Sequence, residues 1–236
     1  MAPTVVLMHG FTHTGRSWDG VVAALGERYT AIAPDIRGHG RSSQAAPVTL
    51  EAVIGDIASL APARFTLAGY SMGGRLALHA ALAIPGRVRR LVLIGGSPGI
   101  ADPVAREERR GADEELAAEI ERSSIEQFAR RWAQTPVLAG QPADVAAATH
   151  ADRLRSTPEG LARALRGLGT GALPSLWDRL GELTMPVTLV AGERDQKFRE
   201  VAWRMGREID GAEVVVVPGT GHAVHLEAPH AVARSL

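Results

Sequence analysis

The stretch Phe65-Thr66-Leu67-Ala68-Gly69-Tyr70-Ser71-Met72-Gly73-Gly74 decides how this chain is read. An apolar, β-prone run, Phe65–Ala68, ends in Gly-x-Ser-x-Gly, and an Ala- and Leu-rich stretch of helical length, Met72–Ala83, follows at once. A strand before the motif and a helix after it are the context a nucleophile elbow requires. Flanking glycines let the backbone turn sharply and push the Ser71 hydroxyl into the open. The helix that follows then offers free N–H groups and the positive end of its dipole to a developing oxyanion.

On either side of this stretch, further short apolar runs read as strands: Thr4–Met8, Thr30–Ala33, Leu91–Ile94, Val187–Val190 and Glu213–Val217. Near-continuous apolar strands suit a sheet covered on both faces, which usually means a parallel one. Between them, Trp18–Arg28, Leu50–Ala61 and Val201–Ile209 read as helices, giving the alternation of an α/β protein. The alternation breaks after Ser97. From there to Gly181 the pattern predicts helices only: Pro103–Glu121, Ser124–Trp132, Pro142–Arg155, Pro158–Gly167 and Ser175–Leu180. The expected organisation is one core, residues 1–96 and 181–236, with residues 97–180 inserted between two strands as a helical cap or lid.

A serine hydroxyl is a weak nucleophile or base until an imidazole, itself held by a carboxylate, takes its proton. Asp195 follows the strand Val187–Val190 within Gly192-Glu193-Arg194-Asp195, and His222 follows Glu213–Val217 within Gly219-Thr220-Gly221-His222. Carboxyl ends of parallel strands meet at one edge of a sheet, so Ser71, Asp195 and His222 are the expected triad. Glu193 and Asp210 compete for the acid's place, His225 for the base's, and a turn-capping Asp or a solvated loop His is the plainer reading of each alone. The expected oxyanion donors are the backbone N–H groups of Met72 and of Phe11, which follows His9-Gly10 at the end of the first strand. The cluster Asp35-Ile36-Arg37-Gly38-His39-Gly40-Arg41-Ser42 reads as a loop tied together by its own polar groups rather than as catalytic.

Composition narrows the classes. Lys+Arg and Asp+Glu number 26 each, so a nucleic-acid partner and an anionic membrane surface are not expected. No cysteine is present, which excludes disulfides, thiolate metal sites and a cysteine nucleophile. The first residues show no basic leader or cleavage site and no apolar run is long enough to span a bilayer, so a cytoplasmic protein is expected. Of eight histidines only His222 and His225 lie close together in a promising loop, without a carboxylate at ligand spacing, so neither a metal nor a cofactor is expected. With only 4% aromatic residues and a complete triad, a ligand receptor that has lost catalysis is disfavoured. Oligomeric state is left open.

Taken together, His9-Gly10, Gly38-His39-Gly40-Arg41-Ser42, Gly69-Tyr70-Ser71-Met72-Gly73-Gly74, Asp195 and Gly221-His222 resemble the α/β-hydrolase superfamily over essentially the whole chain. That resemblance implies an α/β-hydrolase fold, a mostly parallel sheet flanked by helices. Finer motifs, Gly73-Gly74-Arg75, Gly95-Gly96-Ser97-Pro98-Gly99, Arg106-Glu107-Glu108-Arg109, Trp132-Ala133-Gln134-Thr135-Pro136, Leu154-Arg155-Ser156 and Gly192-Glu193-Arg194-Asp195-Gln196-Lys197-Phe198, are similar to one family within it. This is the 2-succinyl-6-hydroxy-2,4-cyclohexadiene-1-carboxylate synthases of menaquinone biosynthesis. The resemblance implies a lyase that eliminates pyruvate from a succinyl enolpyruvyl cyclohexene carboxylate. In it the serine acts as a base beside the succinyl ketone and the oxyanion hole holds the enolate. It also implies that Arg75, Arg109, Arg155, Trp132 and Tyr70 bind this small carboxylate substrate. The physics agrees, because arginine grips carboxylates bidentately and Arg75 lies one helical turn beyond Ser71. Lys197, the chain's single lysine, falls two residues after Asp195.

Two features depart from the family. Arg37 stands where a proline is usual, and the Arg37–Ser42 loop is equally at home in esterases and haloperoxidase-like enzymes, so a carboxylic ester hydrolase working through a Ser71 acyl-enzyme is the alternative. The chain also begins at the first catalytic strand and ends soon after His222, with little room for a full final helix.

Overall fold

The computed structural model describes residues 2–236. Six strands, β1 (Thr4–Met8), β2 (Thr30–Ile32), β3 (Phe65–Tyr70), β4 (Val88–Ile94), β5 (Val187–Gly192) and β6 (Glu213–Val217), form one sheet in the order β2-β1-β3-β4-β5-β6. Every pairing is parallel, so the sheet is wholly rather than mostly parallel among the described residues. β3 and β5 run two residues beyond the apolar runs seen in sequence, because Gly69 and Gly192 still pair in the ladder.

Period-two alternation sends successive side chains into two cores. Val5, Leu7, Ala68, Tyr70, Val92 and Ile94 pack under Trp18 and under α1 (Asp19–Leu25). On the opposite face Val6, Met8, Leu67, Leu91 and Leu93 pack against α2 (Leu50–Leu60) and α3 (Met72–Ala83). The helix expected at Trp18–Arg28 is in fact a 3₁₀ turn, the seven-residue α1 and a second 3₁₀ turn. Gly26 interrupts it, with a positive φ of 55°.

Between β4 and β5 the described chain is helical only: α4 (Pro103–Glu121), α5 (Ile125–Trp132), α6 (Ala143–Arg153) and α7 (Pro158–Leu168), then a 3₁₀ stretch at Trp177–Glu182. Caps explain three of the four starts. The Asp102 carboxylate accepts from the Ala105 N–H at 2.7 Å, Ser124 and Gln127 form a capping box, and Thr157 accepts from the Gly160 N–H at 3.1 Å. Ala117, Ile120, Phe128, Leu161, Ala162 and Leu165 give these helices a small core of their own, and Phe11 and Trp132 pack against it. After β5 come α8 (Gln196–Glu208) and, beyond β6, α9 (Val224–Glu227) and α10 (Pro229–Ser235). The last helix, α10, is only seven residues long, yet it closes the sheet face beside α1 by burying Val232 and Ala233. No described helix is long and apolar enough to cross a membrane.

The chain reverses its direction of winding between β1 and β3, so the loops after these neighbouring strands diverge and leave a crevice at their carboxyl ends. Ser71 enters that crevice with φ 51° and ψ −111°, a strained conformation for a residue with a side chain. Two glycines make the turn possible. A methyl group on Gly69 would overlap the Gly73 carbonyl, and one on Gly73 would overlap the Met8 and His9 carbonyls. Gly73→Ala should therefore cost about 3 kcal/mol in chemical denaturation. Gly55→Ala, on an open face of α2 with nothing within 4 Å of the new methyl group, should gain about 0.5–1 kcal/mol. Equal effects from the two would contradict this packing.

Candidate active site

Three loops at the carboxyl edge bring Ser71, Asp195 and His222 together. The Ser71 Oγ lies 3.0 Å from His222 Nε2, and His222 Nδ1 lies 2.6 Å from Asp195 Oδ2. The acid fixes the tautomer: Nδ1–H donates to Asp195, leaving Nε2 to accept the serine proton. Asp195 itself caps α8 through its other oxygen, which accepts from the Phe198 N–H at 3.4 Å. The turn before His222 is clamped by the buried Glu227 carboxylate, which accepts from the Gly221 N–H and from Arg194, each at 2.9 Å. The imidazole is held sideways by the rings of Phe198 at 4.4 Å and Tyr70 at 5.2 Å.

The competing residues have other work. Glu193 accepts from the Gly219 N–H at 2.8 Å, tying two loops together. His225 is buried against Tyr70 and Trp18, and burial together with the neighbouring His222 pushes its imidazole down to about 3. Asp35 accepts from the Gly15 and Arg41 N–H groups at 2.8 and 2.9 Å, the self-tied loop expected from sequence. His39 packs edge-on against the Phe11 ring at 5.7 Å.

Met72 is the first residue of α3, and its N–H, like that of Phe11 in the turn after β1, has no acceptor among the described residues. Free N–H groups at this edge can receive an oxyanion beside Ser71. Both residues, with Ser71 and His222, line a cavity of about 360 Å³ roofed by the inserted helices. Among the described residues its walls carry three cations, Arg75, Arg109 and Lys197, and four large aromatic side chains, Phe11, Trp132, Trp177 and Phe198, and no Asp or Glu.

Arg75 is buried, at 7% exposure, and forms no ion pair among the described residues. One terminal nitrogen donates to the Leu168 carbonyl at 3.2 Å, and its Nε finds no acceptor. Burial and then repulsion from Arg109 bring its guanidinium down to about 10, so it stays charged at neutral pH. Arg109 reaches in from α4 and is held by Asp113 at 2.7 Å, whose other oxygen accepts from the Gly171 N–H at 3.2 Å. Trp132 stands edge-on to Phe11 at 5.3 Å.

Two of the residues expected to bind substrate lie elsewhere. Arg155 comes just after α6, where it is half exposed, 3.8 Å from Asp152, and lines a separate hollow beside His13 and Leu226. Tyr70 does not line the cavity either. As a residue of β3 it alternates with Gly69 and turns into the core under α1, where it is only 3% exposed.

The neighbours of Arg155 matter instead. Asp152 accepts the Thr14 backbone N–H at 2.8 Å and its hydroxyl at 2.5 Å, both buried. The buried Arg153 donates from Nε to the Thr12 hydroxyl at 3.3 Å, and Thr12 carries a strained φ of 70°. The end of α6 thus grips the loop that begins with Phe11. An Asp-Arg pair at a helix end carries no sequence signal of such a grip.

Residues 5–235 match the alpha/beta hydrolase family, and the chain belongs to it. A 2-succinyl-6-hydroxy-2,4-cyclohexadiene-1-carboxylate synthase of Salmonella agona is 35% identical over 244 residues, covering 100% of this chain and 92% of that protein. Among solved structures, MenH from S. aureus superposes with a TM-score of 0.92 at 30% identity, over 99% of this chain and 91% of that one. A thermophilic esterase from Thermogutta terrifontis, solved with malate bound, gives 0.86 at 28% identity, over 100% of this chain and 88% of that one. Within the larger family, the chain belongs with the 2-succinyl-6-hydroxy-2,4-cyclohexadiene-1-carboxylate synthases.

The grip of α6 on the Phe11 loop makes a kinetic prediction. Asp152→Ala should lower kcat about 10- to 100-fold by letting the Phe11 N–H drift, with KM nearly unchanged, because the cations that line the cavity are on other elements. A rise in KM at constant kcat in steady-state assays would assign Asp152 to ligand binding instead.

Proposed function

We propose that this chain is a 2-succinyl-6-hydroxy-2,4-cyclohexadiene-1-carboxylate synthase, a carbon–oxygen lyase that releases pyruvate from a succinyl enolpyruvyl cyclohexene carboxylate. The observation that carries this reading is the cavity wall: three cations and no acid over a complete triad, one of the cations buried without a counter-charge. A neutral ester gains nothing from a buried unpaired guanidinium, whose desolvation only a bound anion offsets. A substrate with three carboxylates uses all three cations.

The chemistry follows from the geometry. As Ser71 Oγ removes the proton from the carbon beside the succinyl ketone, its own proton passes to His222 Nε2 and Asp195 stabilises the imidazolium. The electron pair moves onto the ketone oxygen, which the Phe11 and Met72 N–H groups receive as an enolate. Collapse of the enolate through the ring double bond breaks the carbon–oxygen bond to the enolpyruvyl group. A proton taken up on carbon by that leaving group completes pyruvate. No water or acyl-enzyme enters the sequence, which separates it from ester hydrolysis on the same three residues. A cytoplasmic setting belongs to this proposal, since a substrate with three charges is used in the compartment that makes it.

The test is pyruvate release from the substrate generated in situ by the preceding enzyme. The wild type should release it rapidly, and Ser71→Ala should lose at least about 1000-fold. Arg75→Met should raise KM about 10- to 100-fold, as expected for losing a charged hydrogen bond. A wild type that releases no pyruvate above background yet cleaves simple esters with a burst would replace the lyase reading with the esterase one.

A further inference from the structure

Lys197 is the chain's only lysine; every other basic residue among its 26 Lys+Arg is an arginine. It sits in the first turn of α8, where a positive charge meets the positive end of the helix dipole and is disfavoured. It takes part in none of the ion pairs seen among the described residues. Its one contact of this kind is with the face of the Phe198 ring, a weak attraction at an exposed position, and Lys197 lines the cavity.

Its position within the cavity is specific. Lys197 Nζ lies 5.6 Å from the centre of the Phe198 ring, and that ring lies 4.4 Å from the His222 imidazole. Lys197 and His222 thus both pack against the Phe198 ring. Arg75 approaches from α3 behind Ser71, and Arg109 from α4 in the inserted helices. In an elimination run by this triad, the proton taken through Ser71 onto His222 has one destination, the departing enolpyruvyl group. Its oxygen–carbon bond breaks, the electron pair leaves with it, and the proton from His222 neutralises it as pyruvate, so no further reactant is needed. The departing group must accordingly lie beside His222.

We infer that Lys197 binds the carboxylate of the leaving enolpyruvyl group, while Arg75 and Arg109 hold the two carboxylates that remain on the product. This assignment rests on the lyase reading. It also supplies the third cation that Arg155, outside the cavity, does not. An exposed ammonium at a cavity mouth is a compact charge with three donors on a flexible stem, suited to a group that must be released after each turnover.

The single lysine allows a direct test. Reductive methylation with ¹³C-formaldehyde keeps the charge and labels only Lys197 and the N-terminal amine, giving two resolvable NMR signals. Millimolar pyruvate should shift the Lys197 signal saturably and leave the terminal signal in place, whereas pyruvamide, which lacks the carboxylate, should shift neither. In kinetics, Lys197→Met should raise KM about 10-fold and weaken product inhibition by pyruvate by a similar factor, and Lys197→Arg should recover most of both. An unmoved Lys197 signal, or a Lys197→Met enzyme with wild-type KM and pyruvate inhibition, would overturn the assignment while leaving the lyase reading intact. A wild type that releases no pyruvate would instead overturn the lyase reading, and this assignment with it.

Discussion

The first turn of α3 lies so close to the end of β1 that Gly73 has no room for a side chain against the Met8 and His9 carbonyls. The rest of the site depends on that approach. It holds Ser71 at a positive φ, sets the free Met72 N–H beside the Phe11 turn, and carries Arg75 into the cavity one turn further along. The strain at Ser71 is sustained by a buried strand on each side of β3 and by the Ser71 N–H, which donates to the Ile94 carbonyl at 2.9 Å. Catalytic geometry here is a property of the sheet's packing, imposed before any ligand arrives.

Above that rigid edge, the inserted helices contribute charge and grip rather than chemistry. Arg109, oriented by the buried Asp113, comes from α4, while Asp152 and Arg153 at the end of α6 take hold of Thr14 and Thr12. The same helices therefore shape the anion-binding wall and steady the loop that begins with one oxyanion donor. An electropositive cavity, lined by no acid among the described residues, suits a polyanionic substrate and an enolate formed from it. An uncharged ester draws no such benefit, which is why charge distribution, not the triad, separates the two chemistries on this fold.

Much of this was legible in the sequence, because the motifs that carry the chemistry sit at strand ends whose apolar runs are plain. Ser71, Asp195 and His222 each follow such a run, and the structure brings them within hydrogen-bonding distance. Legibility failed where the answer depended on the direction of a side chain rather than on its neighbourhood. Tyr70 touches Ser71 in sequence, but strand alternation turns it into the core. Arg155 lies two residues past Arg153, yet α6 ends between them, so one is buried against Thr12 and the other faces a separate hollow. The length of the helices at Trp18–Arg28 and after His222 depended on Gly26 and on packing against α1, neither of which apolar periodicity reports.

On the lyase reading Ser71 acts as a base toward carbon and not as a nucleophile toward a carbonyl. The most direct measurement compares pyruvate release from ordinary substrate and from substrate deuterated at the carbon beside the succinyl ketone, with intact-protein mass spectrometry on rapidly quenched reactions. A base role requires slower release from the deuterated substrate, a primary isotope effect, with the protein mass unchanged throughout turnover. Equal rates together with an acyl adduct on Ser71 would contradict it.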